Sequence, residues 1–507
     1  MRTVVMALTG PGHGGTDLRC EAFAGFLSRL HAAEPDADPA AAAALDPAAA
    51  LDRLAGEAWL MVEGDEVRYV PSRQARTLVA TRTDRAWPAT VASRHSKAVR
   101  TSAGVVYRFP LEPATGGPTP DGEYVETFVT DWTGLPSACA IALHPAHPLS
   151  TGLSAGQDAA FTGRFCRHPL TGDLLPLWVA TWVKADFGTG AVLLNPGHNR
   201  PDLEFCRKVG LPVRFSLLAA GHDGTPASWL VPPFIKQGEA VRSGFADGKS
   251  FDEAKNVYLQ AVSSWGLAEA GSDYGFGSLP VARLAGPDAG DGLVEAAWHT
   301  GRGALTGGAG ADRVRLAAVS PVVLAADPEV RRSRLTVVVP SAGVDTDLLA
   351  LRALLAEPRL GETGGPAPEV VVVGAATALT EPAAEDVTAL AMLVSAGPLD
   401  TVALKAQHIE PCERFLKVHE ALAFTDAVAD GEPSAETAKV ARKIKNLLRA
   451  RDPKQAFTQL YRLQKTLAKS EAAAEPDVLV YAALAGVLAG TGSRFPAEAV
   501  AGAWAQI

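Results

Sequence analysis

Three groups of residues in this 507-residue chain have types and spacing that could do chemistry. The first is Gly10-Pro11-Gly12-His13-Gly14-Gly15, set between the apolar run Thr3–Leu8 and a helix beginning at Thr16. A strand, a glycine-rich loop and a helix N-terminus can present backbone N–H groups to a phosphate. The glycine spacing fits neither a P-loop nor a G-x-G-x-x-G turn, so His13 reads equally as a loop residue or as a catalytic one. The second group is Cys166-Arg167-His168, two metal-ligand types in three residues. The five cysteines (Cys20, Cys139, Cys166, Cys206 and Cys412) contain no C-x-x-C pair, and no partner pair stands near in sequence. A buried thiol is the better reading, and no metal is expected. The third group lies between Lys439 and Lys469. It holds Lys439, Arg442, Lys443, Lys445, Arg449, Arg451, Lys454, Arg462, Lys465 and Lys469 against the single acid Asp452. Such a run is either a solvated helix face or a contact for a polyanion.

The elements that must position these groups follow from pattern. Apolar residues make 47 % of the chain and charged residues 20 %, which is a globular composition sized for three or four domains. The net charge of −9 excludes a general nucleic-acid coat, so any RNA contact must come from a local basic patch. Leu18, Ala22, Phe26 and Leu30 place one apolar face on the helix after Thr16. Residues 33–50 are low-complexity linker. A short helix is expected near Val91. The runs Gly104–Leu111, Tyr124–Val129, Ala138–Leu143, Leu177–Lys184 and Gly190–Asn195 then read as strands of a β-rich insert. Ala378–Leu399 and nearly everything from Pro411 onward have helical periodicity, with Leu447, Leu448, Phe457, Leu460, Leu463 and Leu467 as apolar faces. Asp17, Arg19 and Glu21 exclude a secretory signal at the N-terminus. The longest apolar run, Val478–Gly490, is too short to span a bilayer. A cytoplasmic protein with no membrane partner is expected.

The most specific stretch is His168–Val213, HPLTGDLLPLWVATWVKADFGTGAVLLNPGHNRPDLEFCRKVGLPV. It resembles the editing insertion of leucyl-tRNA synthetases, which carries a close counterpart of HPLTG, then D-Y/F-G-T-G-A-V, then P-[AG]-H-D-x-R-D-x-E-F. Weaker likenesses flank it in family order. Trp87-Pro88 to Leu111 resembles the approach to the insert, Glu126–Leu149 its threonine-rich segment, and Val241–Gly266 the return to the synthetase core. Ala396-Gly397-Pro398 and Glu413-Arg414-Phe415-Leu416 resemble the start of the anticodon-binding bundle.

The resemblance implies an α/β fold, a reduced class I synthetase (Rossmann-like) core with a β-rich editing insert and a C-terminal α-helical bundle. The expected division is 1–102 and 236–400 for the two halves of the core, 103–235 for the insert and 401–507 for the bundle. Class I activation relies on a His-x-Gly-His element and a lysine-rich K-M-S-K-S loop, which stabilise phosphate charge. Here only His13 stands at the first, a degenerate nucleotide-binding remnant. No lysine occurs between Lys255 and Lys405, and the loop's place near Glu369–Thr377 is an apolar, strand-like run. Activation of leucine is therefore not expected. In the insert, Asp202 matches the aspartate that grips the α-amino group of the misattached amino acid, and Thr130 matches a threonine that orients the ester or a water. The other reading of Asp202 is an acid in the first turn of a helix. The threonine gate that excludes leucine becomes Gly134, or Thr133 after a one-residue shift. Asp131 replaces an arginine, Asn199 a first aspartate and Asn195 an apolar pocket residue, while His198 matches the motif histidine.

These residues predict a protein acting on or binding aminoacyl-tRNA, as a deacylase working in trans or as a pseudo-synthetase, with no cofactor. tRNA is the expected partner, held through Lys439, Arg442, Lys443, Lys445, Arg449 and Arg451. A divergent leucine–tRNA ligase and a scaffold for a synthetase or other protein partner are the alternatives.

Overall fold

The computed structural model describes residues 3–8, 16–34, 46–57, 59–81, 87, 89–112, 123–132, 134–145, 147–150, 157–184, 187–218, 238–285, 294–297, 313–340, 345–361, 368–374, 376–377, 384–424, 431–470 and 474–507. His13 and Thr133 lie outside them.

The first strand, Thr3–Ala7, alternates its side chains between two apolar environments. It pairs in parallel with Arg334–Pro340, which pairs in parallel with Glu369–Val373. Parallel strands are covered on both faces. On one face Val5, Ala7, Val338, Val371 and Val373 meet the helix Thr16–Ala33 and the C-terminal helices. On the other, Val4, Met6, Leu335, Val337 and Val339 meet the helix Asp345–Ala356 and a five-stranded antiparallel sheet that includes Glu66–Val70 and Leu279–Leu284. The place expected for a lysine loop is the third strand of the parallel sheet, with Val370, Val371 and Val373 buried. Its end is closed by Arg19. That buried guanidinium donates to the carbonyls of Met392 at 3.2 Å, Gly374 at 3.1 Å and Gly397 at 2.7 Å, and to that of Asp400.

The insert hangs on a stem. Arg100–Pro110 pairs antiparallel with both Tyr124–Val129 and Ala268–Gly275. The third stem strand stands at 268–275, and the helix Phe251–Ser264 packs Ala254, Tyr258 and Val262 into the same core as Val105, Tyr107 and Phe109. A four-stranded sheet completes the insert, in the order Ala159–Arg167, Leu174–Ala180, Ala140–Leu143, Ala191–Leu194. Arg76, on the helix Arg73–Thr81 outside the insert, forms a buried ion pair with Asp273 of the stem at 2.8 Å. The second oxygen of Asp273 accepts the Gly188 N–H at 2.8 Å, and Arg76 donates to the Gly188 carbonyl. One peptide of the D-F-G-T-G motif is thus clasped from both sides. Gly188 adopts φ +61°, and a Cβ there would stand 2.9 Å from the Phe128 side chain.

The C-terminal region is helical: Ala406–Ala423, Ala435–Arg449, Pro453–Leu467, Glu475–Ala489 and Ala497–Gln506. Ser434 and Asp452 cap the second and third of these through their side chains. Ile444, Leu448, Leu460, Leu463, Tyr481, Leu484 and Trp504 join one core with Phe23 and Leu27 of the first helix. The helix expected over Ala378–Leu399 runs from Glu385 to Val394, with residues 378–383 outside the described set. Among the described residues no helix is long and apolar enough to cross a membrane, and no cluster of His, Cys, Asp or Glu could hold a metal ion.

Candidate functional site

The strand Ala191–Leu194 ends in the turn Asn195-Pro196-Gly197-His198, whose backbone folds on itself. The N–H groups of His198 and Asn199 both donate to the Asn195 carbonyl, at 2.9 and 3.0 Å. Gly197 has no alternative here, because a Cβ would stand 2.1 Å from the Arg214 carbonyl oxygen. Asn199 is the N-cap of the helix Arg200–Val209, accepting the Asp202 N–H, and Gly210 ends that helix in the left-handed conformation. Asn199 is exposed, and its Oδ1 accepts the Asp202 N–H at 3.5 Å as a helix cap.

This turn buries Asp202 to 3 % exposure. Its Oδ2 accepts the Asn195 N–H at 2.8 Å, and among the described residues Oδ1 has no hydrogen-bond partner and no cation pairs with the group. Burial pushes the carboxyl up to about 6, against the opposing pull of the Asn195 N–H. A first-turn acid placed only to complement a helix dipole would stay in water, where its charge costs little.

The segment Gly134–Ser137 faces the same turn. At the position a Gly134 Cβ would take, the nearest atoms are Asn195 Cγ at 3.3 Å and Nδ2 at 3.5 Å. Gly134 is thus packed against the Asn195 side chain, which is 9 % exposed. Ser137 Oγ donates to the Gly134 carbonyl at 2.8 Å, and Ser216 Oγ to Ser137 Oγ at 3.2 Å. His198 Nε2 accepts the Ser216 N–H at 3.0 Å, which leaves the ring proton on Nδ1. Burial lowers His198 to about 4, with Asp131 pulling the other way. Two buried atoms here have no partner among the described residues, Asn195 Oδ1 and His198 Nδ1. No local motif marks Ser137 or Ser216. Their positions follow from the pairing of distant strands, which no local motif encodes.

The histidine of HPLTG is structural. His168 Nδ1 accepts the N–H groups of Leu170 and Thr171 at 3.1 and 3.2 Å, and Nε2–H donates to the Leu135 carbonyl at 2.8 Å. It ties this loop to the segment that carries Gly134. His147-Pro148-Leu149 repeats the device, with His147 Nδ1 accepting the Leu149 N–H at 3.1 Å. Burial lowers His168 to about 4 and His147 to about 3, so both rings are neutral. Cys166 is buried on a strand, as a plain thiol would be. Thr130 stands apart from this network. It is exposed just past the strand Tyr124–Val129 and makes no hydrogen bond with Asp202, Asn195 or His198. Two residues on, Trp132 is fixed by Nε1–H to the Lys255 carbonyl at 2.8 Å and by the Lys255 ammonium 4.1 Å from its ring.

A family profile described as leucyl-tRNA synthetase, editing domain, matches residues 146–263, which hold the whole Asp202 turn. The leucine–tRNA ligase of Pseudomonas syringae pv. syringae (strain B728a) is 29 % identical over 213 residues, 37 % of this chain and 24 % of that protein. The leucine–tRNA ligase of Clostridium perfringens (strain 13 / Type A) is 39 % identical over 117 residues, 23 % of this chain and 14 % of that protein. The chain is related to the leucyl-tRNA synthetases. It matches about a quarter of the length of curated relatives such as the first. A crystal structure of the Agrobacterium radiobacter K84 agnB2 leucyl-tRNA synthetase, solved as a ternary complex with tRNA and LeuAMS, aligns over 100 % of this chain and 85 % of that one, at 14 % identity and a TM-score of 0.37.

Outside the part of this synthetase relative that matches the editing domain, the basic run divides in two. Lys445 is buried, donates to the Trp504 carbonyl and lies 4.9 Å from the Trp504 ring. Arg449 makes a two-pronged pair with Glu34 at 2.8 and 2.6 Å, and Arg451 pairs with Glu369 at 2.6 Å. These three, expected to meet tRNA, are engaged within the protein: Lys445 inside the bundle, Arg449 with the end of the first helix and Arg451 with the parallel sheet. Lys439, Arg442, Lys443, Lys454, Arg462 and Lys469 are exposed, with no acid partner among the described residues. The sequence could not separate the two sets, because charge alone does not say which helix face meets the core.

Proposed function

We propose that the insert is an aminoacyl-ester hydrolase acting on aminoacyl-tRNA, in a chain that does not activate amino acids itself. The observation that carries this reading is the Asp202 carboxylate, buried with one oxygen unpartnered and no cation beside it. Buried charges are normally paired, and an unpaired one shifts toward its neutral form. The α-ammonium of an aminoacyl ester is the missing partner: it would donate to Oδ1, convert the site to a charge-assisted pair and fix the ester for attack. A water oxygen then adds to the ester carbonyl and the bond to the ribose oxygen breaks. That oxygen takes up the water's proton, and the free amino acid leaves. Thr130 keeps its proposed role only if the bound ester reaches the exposed end of its strand. His198, Asn195 and Gly134 stand in or beside the Asp202 turn and would flank the bound ester.

The absence of a lysine loop, with a buried strand in its place, supports the loss of activation. tRNA binding is proposed for the exposed cations Lys439, Arg442, Lys443, Lys454, Arg462 and Lys469, which form a local basic patch on a chain of net charge −9. The four-part division is kept in the same spirit, with the insert drawn from its stem strands, 100–275.

The deciding experiment incubates the protein with leucyl-, isoleucyl- and threonyl-tRNA and follows release of amino acid. Release above spontaneous hydrolysis from at least one ester, abolished in Asp202→Ala, is expected. ATP–pyrophosphate exchange with leucine should stay at background. No release from any ester, with tRNA still bound, would leave a pseudo-synthetase that only binds RNA.

A further inference from the structure

Only some side-chain types reach solvent along the basic run of the C-terminal region. The helices Ala435–Arg449 and Pro453–Leu467 are joined by Ala450, Arg451 and Asp452, with Arg451 at φ +59°, and pack side by side as a helical hairpin. Both also pack on the helix Glu475–Ala489, so both turn their exposed sides away from it. Between Lys439 and Lys469 every exposed residue is a lysine, an arginine, an amide, a hydroxyl or an alanine, and none is an acid or an aromatic. Such groups donate well to phosphate oxygens. The means of holding unpaired bases are missing. Single strands are gripped by stacking on exposed rings, and both rings of the hairpin are engaged internally. Phe457 is buried, Tyr461 stacks on it at 5.8 Å, and the Lys465 ammonium stands 4.2 Å from the Tyr461 ring. Arginine planes can also stack on unpaired bases. Here Arg442 directs its Nε–H to the Ala438 carbonyl at 3.2 Å, and Arg449 is closed by Glu34. Apart from Arg462, the remaining cations Lys439, Lys443, Lys454 and Lys469 are point charges without a planar fork.

We infer that this hairpin docks on the phosphate backbone of double-stranded RNA and reads no bases, so that the chain takes tRNA by its stems, without regard to sequence. The inference rests on the tRNA reading above and adds which part of the RNA is bound. The caps Ser434 and Asp452 and the shared core hold both helices, which sets the two rows of cations in a fixed frame, with axes about 8–10 Å apart. A double-stranded stem offers two backbones in an equally fixed frame, at a higher charge density than a single strand. Its base edges lie in a groove too deep and narrow for side chains to read, so backbone contact is what such a stem has to give. Discrimination among aminoacyl-tRNAs then falls to the insert, and this face supplies affinity alone.

The probes are two tRNA transcripts of unrelated sequence, an RNA duplex of about 16 base pairs and a single-stranded oligouridine with as many phosphates as the duplex. Each is titrated into the full chain by fluorescence anisotropy at several salt concentrations. The two tRNAs should bind within about five-fold of one another. The single strand should bind about ten-fold or more weakly than the duplex. Duplex affinity should fall with salt at a log–log slope near −4, about 0.9 for each of four to five phosphate contacts. Arg462→Lys, which keeps the charge and loses the fork, should leave every affinity within about two-fold. Lys454→Ala with Arg462→Ala, at an unchanged thermal melt, should weaken both tRNAs and the duplex by the same factor. A wider gap between the tRNAs, a large loss in Arg462→Lys, or a single strand bound as tightly as the duplex would overturn the inference and leave tRNA binding intact. Undiminished binding in the double alanine variant would move the contact off this face, with the same result. Failure of every RNA to bind the folded protein would overturn the inference together with the tRNA reading and leave the face to an acidic protein partner.

Discussion

Two buried aspartates in the same insert and its stem have opposite fates. Asp273 is enclosed on every side it offers: Arg76 holds one oxygen and the Gly188 N–H the other. Asp202 is buried almost as deeply, yet it accepts one backbone N–H and meets no cation among the described residues. The first arrangement completes itself within the chain and fixes the stem to the body. The second leaves one carboxylate oxygen without a partner among the described residues. Burial alone does not mark a functional carboxylate. Burial without its electrostatic complement is the observation behind the proposed role of Asp202.

Breaking the complete site should cost the most. Arg76→Ala strands the Asp273 carboxylate and should lower stability by about 3–5 kcal/mol in denaturant titrations. Replacing both partners with apolar residues, Arg76→Met with Asp273→Leu, should recover most of it. Asp202→Asn is the sharper counterpart. It should lower deacylation by about 100-fold or more, ~3 kcal/mol of lost anchoring, while leaving the melting temperature unchanged or higher. The sign follows from a folded carboxyl raised to about 6 from an ordinary 3.8. A group raised on folding favours the folded state when protonated and opposes it once pH passes the folded value, so near pH 7.5 removing the charge relieves a penalty of up to ~3 kcal/mol. A melting temperature that falls in Asp202→Asn would make this residue a second Asp273. Smaller effects separate the basic residues. Lys439→Ala with Lys443→Ala should weaken tRNA binding about three- to ten-fold and flatten its salt dependence by about 0.7–0.9 per lost contact, with no change in melting. Lys445→Ala should do the reverse, costing ~1–2 kcal/mol of stability through Trp504. Matched RNA-binding losses in both variants would undo the division of the run.

Much of this architecture could be read from residues. The apolar run Thr3–Leu8 and the face of Ala22, Phe26 and Leu30 on the helix after Thr16 are local signals, and local signals specify local elements, although Leu18 of the same expected face is exposed. The motif around Asp202 was legible as a unit because its turn, cap and helix are contiguous. What escaped was whatever depends on a distant partner. The return strand at 268–275 is set by pairing with 100–107, and the burial of Lys445 by Trp504, fifty-nine residues away. The meaning of Gly134 also changed. From sequence it is a gate removed, whereas in the fold the Asn195 side chain stands 3.3 Å from where a Cβ would be, so the glycine allows this close packing. Thr130 shows the opposite limit, a motif position that the fold leaves outside the hydrogen-bond network of the turn.

The three buried imidazoles of the insert set its behaviour in acid. His147, His168 and His198 are neutral in the fold down to about pH 3–4, whereas an unfolded histidine protonates near 6.5. Near pH 5 unfolding therefore takes up close to three protons at these rings and gives back most of the one that Asp202 holds. A net uptake of two makes stability fall by ~2.7 kcal/mol for each pH unit, and by ~4 kcal/mol in a chain where residue 202 cannot titrate. The carboxyl that awaits a ligand thus also blunts the insert's collapse in acid, and Asp202→Asn, the firmer protein at neutral pH, should lose stability faster as pH falls.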